Sequence, residues 1–320
     1  DELNAFLHSY GLFFFFLSST SNRCMIGGMV GNNACGARSL VYGSTREHLL
    51  EIKGFLADGK EVTFGELSNE EFEAKCQGIN VVSELEQSIY LQAKAILSSA
   101  HNRALFDENY PKKSIPRRNT GYALDLLAAS QPFNPTGKKF NFCKLIAGSE
   151  GTLFFATDIK INLVDALKPF SALICIHCNS IDESLKANLE VLPFKPDSVE
   201  LIDHYILACT KENIEQRQNR FFVQGDPQAI LIVEFLRDTE KEIQEIAKEM
   251  EAHLRSKNLG YHFPVVTGTD VSKVWNLRKA GLGLLSNIPG DAKAVAVIED
   301  TAVDVEDLPD FIKEFNVILD

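Results

Sequence analysis

A segment rich in glycine, asparagine and hydroxyl residues, residues 18–43, is well suited to binding a ligand through its backbone. It holds five glycines and three asparagines in 26 residues, with very few charges. Because glycine has no Cβ, its backbone can approach a ligand closely, and consecutive N–H groups suit phosphate oxygens and carbonyl acceptors. Loops longer than about 12–15 residues are usually functional or disordered, and apolar Met29 and Val30 argue against disorder here. The segment therefore predicts a site for a large, flat ligand with polar edges, such as a dinucleotide.

An arginine within an apolar helical stripe is a second candidate for chemistry. Val271, Val274, Trp275 and Arg278 recur at the spacing of one helix face. A guanidinium on such a face needs an anionic partner, which could be a ligand or an acidic side chain of the protein. A salt-bridged or snorkelling arginine is a common structural explanation, so the spacing alone leaves both alternatives open.

The cysteines and histidine of Cys175-Ile-His-Cys178 could suggest a metal site. On a strand, however, Cys175 and His177 point to one face and Cys178 to the other. The sequence contains no second cysteine pair at zinc spacing. We therefore expect a structural role, since free cysteine is a common buried small hydrophobe.

A basic loop precedes the middle of the chain, with Lys112, Lys113, Arg117 and Arg118 in seven residues. Solvated charge is the default interpretation of such a loop. A contribution to the electrostatic field around an anionic ligand is a weaker alternative.

Composition narrows the classes of protein to consider. The chain has 320 residues, enough for two domains, and its 45% hydrophobic and 24% charged residues are typical of soluble globular proteins. A net charge of −12 argues against a nucleic-acid partner. Seven scattered cysteines predict no disulfide framework and favour a reducing cytoplasm. The apolar run 12–17 is too short for a transmembrane segment, which takes roughly 20 residues, so we expect a buried strand or interface there.

Turn and periodicity signals predict the elements that must position these residues. Asp58-Gly59 between two β-type runs predicts a hairpin within 45–65, and Ser83 with Glu86 predicts a capped helix over 83–100. A domain boundary is expected near 165, followed by an α+β domain with helices on one face of its sheet. Strands are predicted at 144–147, 152–163, 171–178, 230–236, from 265 and at 294–299. Helices are predicted at 182–192, 197–209, 239–257, 270–285 and 308–319.

Three motifs in order resemble one known family. The segment 19–36, followed by Tyr42-Gly43 and by Leu-Ala-Asp-Gly at 56–59, resembles the FAD-binding domain of the vanillyl-alcohol-oxidase (PCMH-type) superfamily. Residues 118–125 resemble its Asn-Thr-Gly-Tyr element, and residues 145–153 resemble its Gly-Ser-Glu-Gly-Thr-Leu element. Three ordered motifs are far more specific than a lone glycine motif. The sequence is similar in particular to the FAD-linked 2-hydroxyacid dehydrogenases: D-lactate dehydrogenases, glycolate oxidase subunits and 2-hydroxyglutarate dehydrogenases.

The resemblance implies FAD as the cofactor and a set of residues that contact it or the substrate. The positions carried over as lining FAD are Ser21, Asn22, Ile26, Gly27, Gly28, Asn32, Asn33, Gly36, Tyr42, Gly43, Asn119, Glu150, Gly151 and Thr152. Arg278 is implied as the group that binds the substrate carboxylate, a task that suits its bidentate fork. Lys293 is a looser match to a second carboxylate-binding lysine, with an ordinary strand-end lysine as the alternative. Phe154 replaces a glycine of the family pattern and is expected to crowd the cofactor.

For the fold, the resemblance implies two partial α+β domains. Residues 1–165 are expected to be the later part of a PCMH-type FAD-binding domain without its N-terminal pyrophosphate-loop subdomain. Residues 166–320 are expected to be a partial ferredoxin-like substrate-binding cap without its C-terminal catalytic histidine segment. The chain is therefore expected to be a fragment, with no assignable general base and no metal ligands.

For the function, the resemblance implies oxidation of a small 2-hydroxy acid to the 2-oxo acid with hydride transfer to the flavin. The substrates to consider are D-lactate, glycolate and 2-hydroxyglutarate, and an iron–sulfur domain of the parent protein is a candidate electron acceptor. Two alternatives stay open: another alcohol or alditol oxidase of the same fold, and a non-catalytic fragment that binds no flavin by itself. The expected location is cytoplasmic, with the inner-membrane surface as an alternative.

Overall fold

The chain forms two compact units, residues 1–165 and 166–320. The structure is a computed structural model that describes residues 1–14, 20–118, 121–286, 290–291, 301 and 303–319. Part of the apolar run (15–17), Asn119, Lys293 and the predicted strand 294–299 lie outside the described residues.

The first unit contains short helices and three longer ones around a small sheet. Its strands are β1 (Leu12–Phe13), β2 (Leu49–Phe55), β3 (Glu61–Phe64), β4 (Phe155–Ile161) and β5 (Val164–Asp165). Its helices are α1 (Glu2–Leu7), α2 (Ile26–Gly31), α3 (Ser39–Tyr42), α4 (Thr45–His48), α5 (Asn69–Cys76), α6 (Glu84–Ser98), α7 (Ala100–Asn109), α8 (Leu124–Ala128) and α9 (Cys143–Ile146).

An antiparallel sheet in the order β3-β2-β4 carries the core of this unit. The predicted hairpin is confirmed: the Leu56 N–H donates to Lys60 O at 3.0 Å, and Gly59 turns the chain with a φ of +76°. Aromatic rings fill the core, with neighbouring centroids 4.7–5.7 Å apart, a range typical of favourable edge and tilted contacts. These rings are Phe64, Phe72, Tyr90, Phe140 and Phe142.

The helix predicted from Ser83 is confirmed, with a difference at its cap. The Ser83 Oγ accepts a hydrogen bond from the Glu86 N–H at 3.2 Å, as a helix cap should. The Glu86 carboxylate instead accepts from the Val82 N–H and the Lys75 Nζ, each at 2.7 Å. The acidic residue therefore joins two helices through Lys75.

Three predictions for the first unit are corrected. Residues 144–147 were expected to form a strand, but Cys143–Ile146 is a helical turn, because the Asn141 side chain accepts from the Cys143 N–H at 2.8 Å. The strand expected at 152–163 begins only at Phe155, after the turn that contains Thr152. Part of the glycine segment, Ile26–Gly31, is helical rather than a loop.

The second unit is an antiparallel sheet with helices between its strands. Its strands are β6 (Phe170–Cys178), β7 (Ser198–Asp203), β8 (Ala229–Arg237) and β9 (Val265–Thr267). Its helices are α10 (Ile181–Val191), α11 (His204–Glu212), α12 (Ile214–Arg217), α13 (Glu240–Ser256), α14 (Asp270–Ser286) and α15 (Leu308–Leu319).

The strand order β7-β8-β6-β9, with every neighbour antiparallel, is the ferredoxin-like arrangement. Helices α10 and α13 complete its two split β-α-β units and pack on one face, where their apolar residues meet Ile174 and Val233. Helices α11 and α14 cover the opposite face, where Val274 and Leu277 meet Ile232. The prediction of helices on one face is therefore wrong, because the residues between β7 and β8 and after β9 add a second helical layer.

Most of the other elements predicted beyond 165 are confirmed, but the helix predicted over 197–209 is wrong in its first half. Residues Ser198–Asp203 form the edge strand β7, paired along β8. The helix begins only after Asp203, whose side chain accepts from the Ile206 N–H at 2.9 Å. The side chains of β7 alternate between the two faces of the sheet, which places Glu200 on the face covered by α14.

No helix among the described residues combines the length and the hydrophobicity needed to cross a membrane.

Candidate functional site

Two segments far apart in the sequence meet through their backbones in the first unit. The Gly148 N–H donates to Val30 O at 3.0 Å, and the Glu150 N–H donates to Gly31 O at 2.9 Å. The Asn32 Nδ2 adds a bond of 3.1 Å to the Glu150 Oε1. We call this region the glycine surface, defined as residues 26–33 and 148–152. It joins two of the sequence motifs whose residues the family resemblance implies line FAD.

The glycine surface exposes backbone without side chains. An added Cβ on Gly27, Gly28 or Gly151 would meet no atom of the described chain within 4 Å. Gly27 and Gly28 lie in α2 with an ordinary negative φ, where glycine costs about 1 kcal/mol relative to alanine. The chain itself therefore offers no steric reason for these two glycines. Close approach of a ligand to the backbone would explain them.

Asn33 is buried beneath this surface rather than facing outward. It has a φ of +48°, in the left-handed region that asparagine tolerates. Its Oδ1 accepts from the Ser44 Oγ at 2.9 Å and from the Arg46 N–H at 2.8 Å. The side chain therefore fixes the turn that follows α2, and any contact of Asn33 with a ligand would have to come from its backbone.

Arg46 is a buried residue of this site that sequence reasoning missed. Its side chain passes under the turn at Gly148, and its Nη2 donates to Ala147 O at 2.7 Å. Gly148 has a φ of +87°, and a Cβ there would lie 2.7 Å from that Nη2. Burial lowers the pKa of the guanidinium, partly offset by neighbouring Glu47. Because Thr-Arg-Glu-His at 45–48 reads as an exposed charged turn, no local signal could have identified Arg46.

Lys144 also contributes positive charge beneath the glycine surface. Its Nζ donates to Arg46 O at 2.8 Å, and burial lowers the pKa of this ammonium group. A desolvated ammonium and guanidinium together give this part of the unit a positive interior, which suits an anionic ligand at the surface above.

A third element reaches the surface through Tyr122. Its hydroxyl lies 2.7 Å from the Thr152 Oγ1, and its carbonyl accepts from the Tyr110 hydroxyl at 2.7 Å. The preceding Arg118 is held by Asp125 at 2.7 Å, so this arginine of the basic loop is structural rather than solvated. Tyr122 thus links the Asn-Thr-Gly-Tyr motif to the glycine surface.

The other predicted cofactor residues of the described chain surround α2 and α3. Gly36 is fixed by its N–H bond to the Ser39 Oγ at 2.8 Å, and Gly43 turns with a φ of +77°. Ser21 and Asn22 lie in a turn before α2, in which Ser21 is half-buried and Asn22 is exposed. Ile26 and Tyr42 pack against the small apolar cluster that contains Met29.

Phe154 lies in the core rather than on the glycine surface. Its ring centroid is 5.4 Å from that of Phe64. Gly54 leaves room for this ring, since a Cβ there would lie 2.8 Å from the Phe154 Cε1. The expectation that Phe154 crowds a cofactor is therefore not supported by its position.

The second unit holds Arg278 in an ion pair. The Nε and Nη2 of Arg278 donate to the Glu200 Oε2 at 2.9 and 2.6 Å. Glu200 is thus the anionic partner that an arginine within an apolar stripe was expected to need. The other predicted substrate group, Lys293, lies outside the described residues.

The Cys175-His177-Cys178 cluster is buried in β6 and resembles no metal site. The His177 Nε2 accepts from the Gln224 N–H at 3.2 Å, and its Nδ1 lies 3.0 Å from Cys175 O. Burial raises the pKa of both cysteine thiols, to about 12 for Cys178. Among the described residues, no group of three potential metal ligands comes together.

Comparison with known families matches both units. The family described as "FAD binding domain" matches residues 1–65, and the family described as "FAD linked oxidases, C-terminal domain" matches residues 168–320. Both units therefore match the PCMH-type family of FAD-linked oxidases. The first match contains α2 with its bare glycines, and the second contains Arg278. Residues 148–152 of the glycine surface lie outside both matched ranges.

Curated relatives are similar to the chain in sequence, and solved structures are similar to it in fold. The chain is similar to D-2-hydroxyglutarate dehydrogenases of Pseudomonas putida and Escherichia coli, each 30% identical over the whole chain. It spans 31% of the length of each relative. Two structures of alkyldihydroxyacetonephosphate synthase match 89% of the chain and 42% and 41% of their own, with 14% and 13% identity and TM-scores of 0.50 and 0.51. At this identity the structural likeness concerns the fold alone.

Proposed function

We propose that this chain takes part in the FAD-dependent oxidation of a small 2-hydroxy acid to the 2-oxo acid, with D-2-hydroxyglutarate as the first substrate to test. The observation that carries the proposal is the glycine surface. Its bare backbone at Gly27 and Gly28 has no steric explanation within the described chain and lies in the range that matches an FAD-binding domain. The names of the curated relatives favour a five-carbon hydroxy acid over D-lactate or glycolate.

For the cofactor, we assign residues 1–165 to FAD binding. The predicted FAD-lining residues around the glycine surface would meet the cofactor mainly through backbone groups, while Asn33 and Arg46 hold the two segments together from below. Bound FAD supplies the hydride-accepting redox chemistry of the reaction. The protein contributes a fixed backbone surface over a positive interior, an arrangement that favours an anionic dinucleotide.

For the substrate, we assign residues 166–320 to binding and Arg278 to a substrate carboxylate. A guanidinium can hold a carboxylate with two parallel charge-assisted hydrogen bonds, which fixes orientation as well as affinity. Lys293 is retained as the proposed second carboxylate group. No general base is assigned to the described residues.

A cytoplasmic location is proposed as well. The described cysteines form no disulfide, and Cys76, Cys143, Cys175 and Cys178 are buried, which suits a reducing compartment. As the electron acceptor, we retain the candidate that the family resemblance implies, an iron–sulfur domain of a larger protein.

Flavin binding is tested by titrating FAD into the purified chain and following flavin absorbance and fluorescence after gel filtration. We expect a stoichiometric complex with a perturbed flavin spectrum. If no FAD stays with the chain, the glycine surface is not sufficient to bind flavin. The activity is tested on the protein that carries this chain, with D-2-hydroxyglutarate, D-lactate and glycolate and an artificial electron acceptor.

The substitution Gly28→Ala is expected to change stability and FAD affinity in opposite directions. Alanine in α2 should raise the free energy of unfolding of the ligand-free chain by about 0.5–1 kcal/mol, because its helix propensity is higher and its Cβ meets no atom. The same Cβ should weaken FAD binding about tenfold, since it occupies the space that a close ligand needs. Chemical denaturation and FAD titration measure the two effects.

Gly283→Ala is the matched control. Gly283 also lies in a helix, and an added Cβ there would meet no atom of the described residues within 4 Å, but it belongs to the second unit. It should raise stability and leave FAD affinity unchanged. Equal FAD affinities for Gly28→Ala and the wild-type chain would contradict the assignment of Gly28 to the cofactor surface.

A further inference from the structure

The ion pair between Arg278 and Glu200 is geometrically specific. Both the Nε and the Nη2 of Arg278 donate to one oxygen, the Glu200 Oε2, at 2.9 and 2.6 Å. This arrangement uses the side edge of the guanidinium. Among the described residues, Arg278 makes no other hydrogen bond or ion pair. The end of the fork, formed by Nη1 and Nη2, therefore retains unused donors.

Both partners are anchored by the fold. Glu200 lies in β7 opposite Ile232 of the buried strand β8. Arg278 lies in α14 next to Leu277, which is fully buried against the same face of the sheet. The strand and the helix fix the backbone of Glu200 and of Arg278. The direction of the guanidinium therefore depends on which of its edges Glu200 contacts.

The pair is also partly open to solvent. The Arg278 side chain is 38% exposed and the Glu200 side chain is 19% exposed. Ion pairs that are open to solvent contribute little to stability. A half-buried carboxylate beside a more exposed arginine is therefore better explained by orientation of the arginine than by a gain in stability.

We propose that Glu200 is a positioning residue that holds the side edge of Arg278 and presents its Nη1–Nη2 end to a carboxylate of the substrate. The inference rests on the proposed function, because it takes Arg278 as the carboxylate-binding group. Glu200 also neutralises the charge of Arg278. Recognition at this point thus depends on the two-pronged geometry of the fork more than on net positive charge, which favours a planar carboxylate over other small anions.

A pair of variants that both remove the Glu200 charge separates positioning from electrostatics. Glu200→Gln keeps an acceptor of the same length, whereas Glu200→Ala removes it. If Glu200 positions Arg278, the alanine variant should bind D-2-hydroxyglutarate about fivefold more weakly than the glutamine variant, corresponding to one lost hydrogen bond. Titration calorimetry on the FAD-loaded full chain measures the affinities, and thermal melts verify that each variant is folded.

A second measurement follows Arg278 itself without any ligand. The ¹⁵Nε–Hε signal of Arg278, assigned through its loss in Arg278→Lys, should report an ordered side chain in the wild type and in Glu200→Gln and a mobile one in Glu200→Ala. A side chain that is equally ordered in both variants would overturn the positioning role.

The experiment distinguishes failure of the positioning role of Glu200 from failure of the substrate role of Arg278. If the wild-type chain binds D-2-hydroxyglutarate and the two variants bind it equally well, Glu200 does not position Arg278, and the proposed function is unaffected. If the wild-type chain binds no 2-hydroxy acid, the substrate role of Arg278 is wrong, and the purpose assigned to Glu200 is overturned with it.

Discussion

Replacing Arg278 with methionine is expected to lower kcat/KM for D-2-hydroxyglutarate by about a thousandfold, equivalent to about 4 kcal/mol. Two charge-assisted hydrogen bonds to a substrate carboxylate would be lost, each contributing about 1.5–3 kcal/mol. Methionine keeps the apolar stem that continues the stripe of Val274 and Leu277, so the helix should stay packed. Steady-state kinetics on the flavin-loaded protein that carries this chain measure the effect.

Arg278→Lys and Arg255→Met are the controls for that experiment. Lysine keeps the charge but not the planar fork, so an intermediate loss is expected. Arg255 is also a helical arginine in an ion pair, with Glu251, but it lies on α13, and its replacement should leave kcat/KM unchanged. If the methionine variant of Arg278 folds and keeps wild-type kinetics, Arg278 does not bind the substrate carboxylate.

The parts of the fold that were predictable from the sequence are those fixed by local chemistry. The hairpin at Asp58-Gly59 and the helix starts at Ser83 and Thr239 each depend on a few adjacent residues and are found where predicted. In these places a turn or a cap satisfies backbone groups within one short segment. The correct structure could therefore be read without knowing the tertiary contacts.

The wrong predictions concern segments whose structure is decided by distant partners. The run Ser198–Asp203 has apolar residues that fit either a helix or a strand, and its pairing along β8 decides for the strand. The turn Cys143–Ile146 is fixed by Asn141, whose Nδ2 also donates to Leu50 O at 3.0 Å across 91 residues. Periodicity within the segment carries no information on such a contact.

The residues of the candidate site likewise fall into those that local sequence could predict and those that it could not. The glycine motifs were visible in the sequence because glycine and asparagine are concentrated in them, and the structure joins them through Asn32 and Glu150. Arg46 and Glu200 were not visible, since each is an ordinary charged residue in its own segment. Their roles arise from contacts to Ala147 and Arg278, which only the folded chain brings close. A glycine-rich backbone segment can therefore be recognised in the sequence, whereas the side chains that support it cannot.

Acidification is expected to destabilise the second unit by about 3 kcal/mol through His177. The imidazole is fully buried, and this burial lowers its pKa from 6.5 to about 4. Its Nε2 accepts the Gln224 N–H, so protonation would also break a hydrogen bond. Below pH 6.5 the unfolded chain binds a proton that the folded chain excludes. The stabilisation is therefore complete above pH 6.5 and is lost progressively as the pH falls to about 4.

Trp275, the only tryptophan of the chain, lies in this unit and allows its unfolding by urea to be followed by fluorescence at several pH values. Because glutamine does not titrate, the contribution of His177 to the pH dependence of the unfolding free energy should disappear in His177→Gln. A constant change in stability caused by the substitution does not affect this pH slope. His204→Gln removes a half-buried histidine of the same unit, whose ring centroid lies 3.9 Å from that of Tyr205, and should keep that slope. A wild-type slope in His177→Gln would mean that other groups cause the loss of stability in acid, and that His177 is protonated in the folded chain as readily as in the unfolded one.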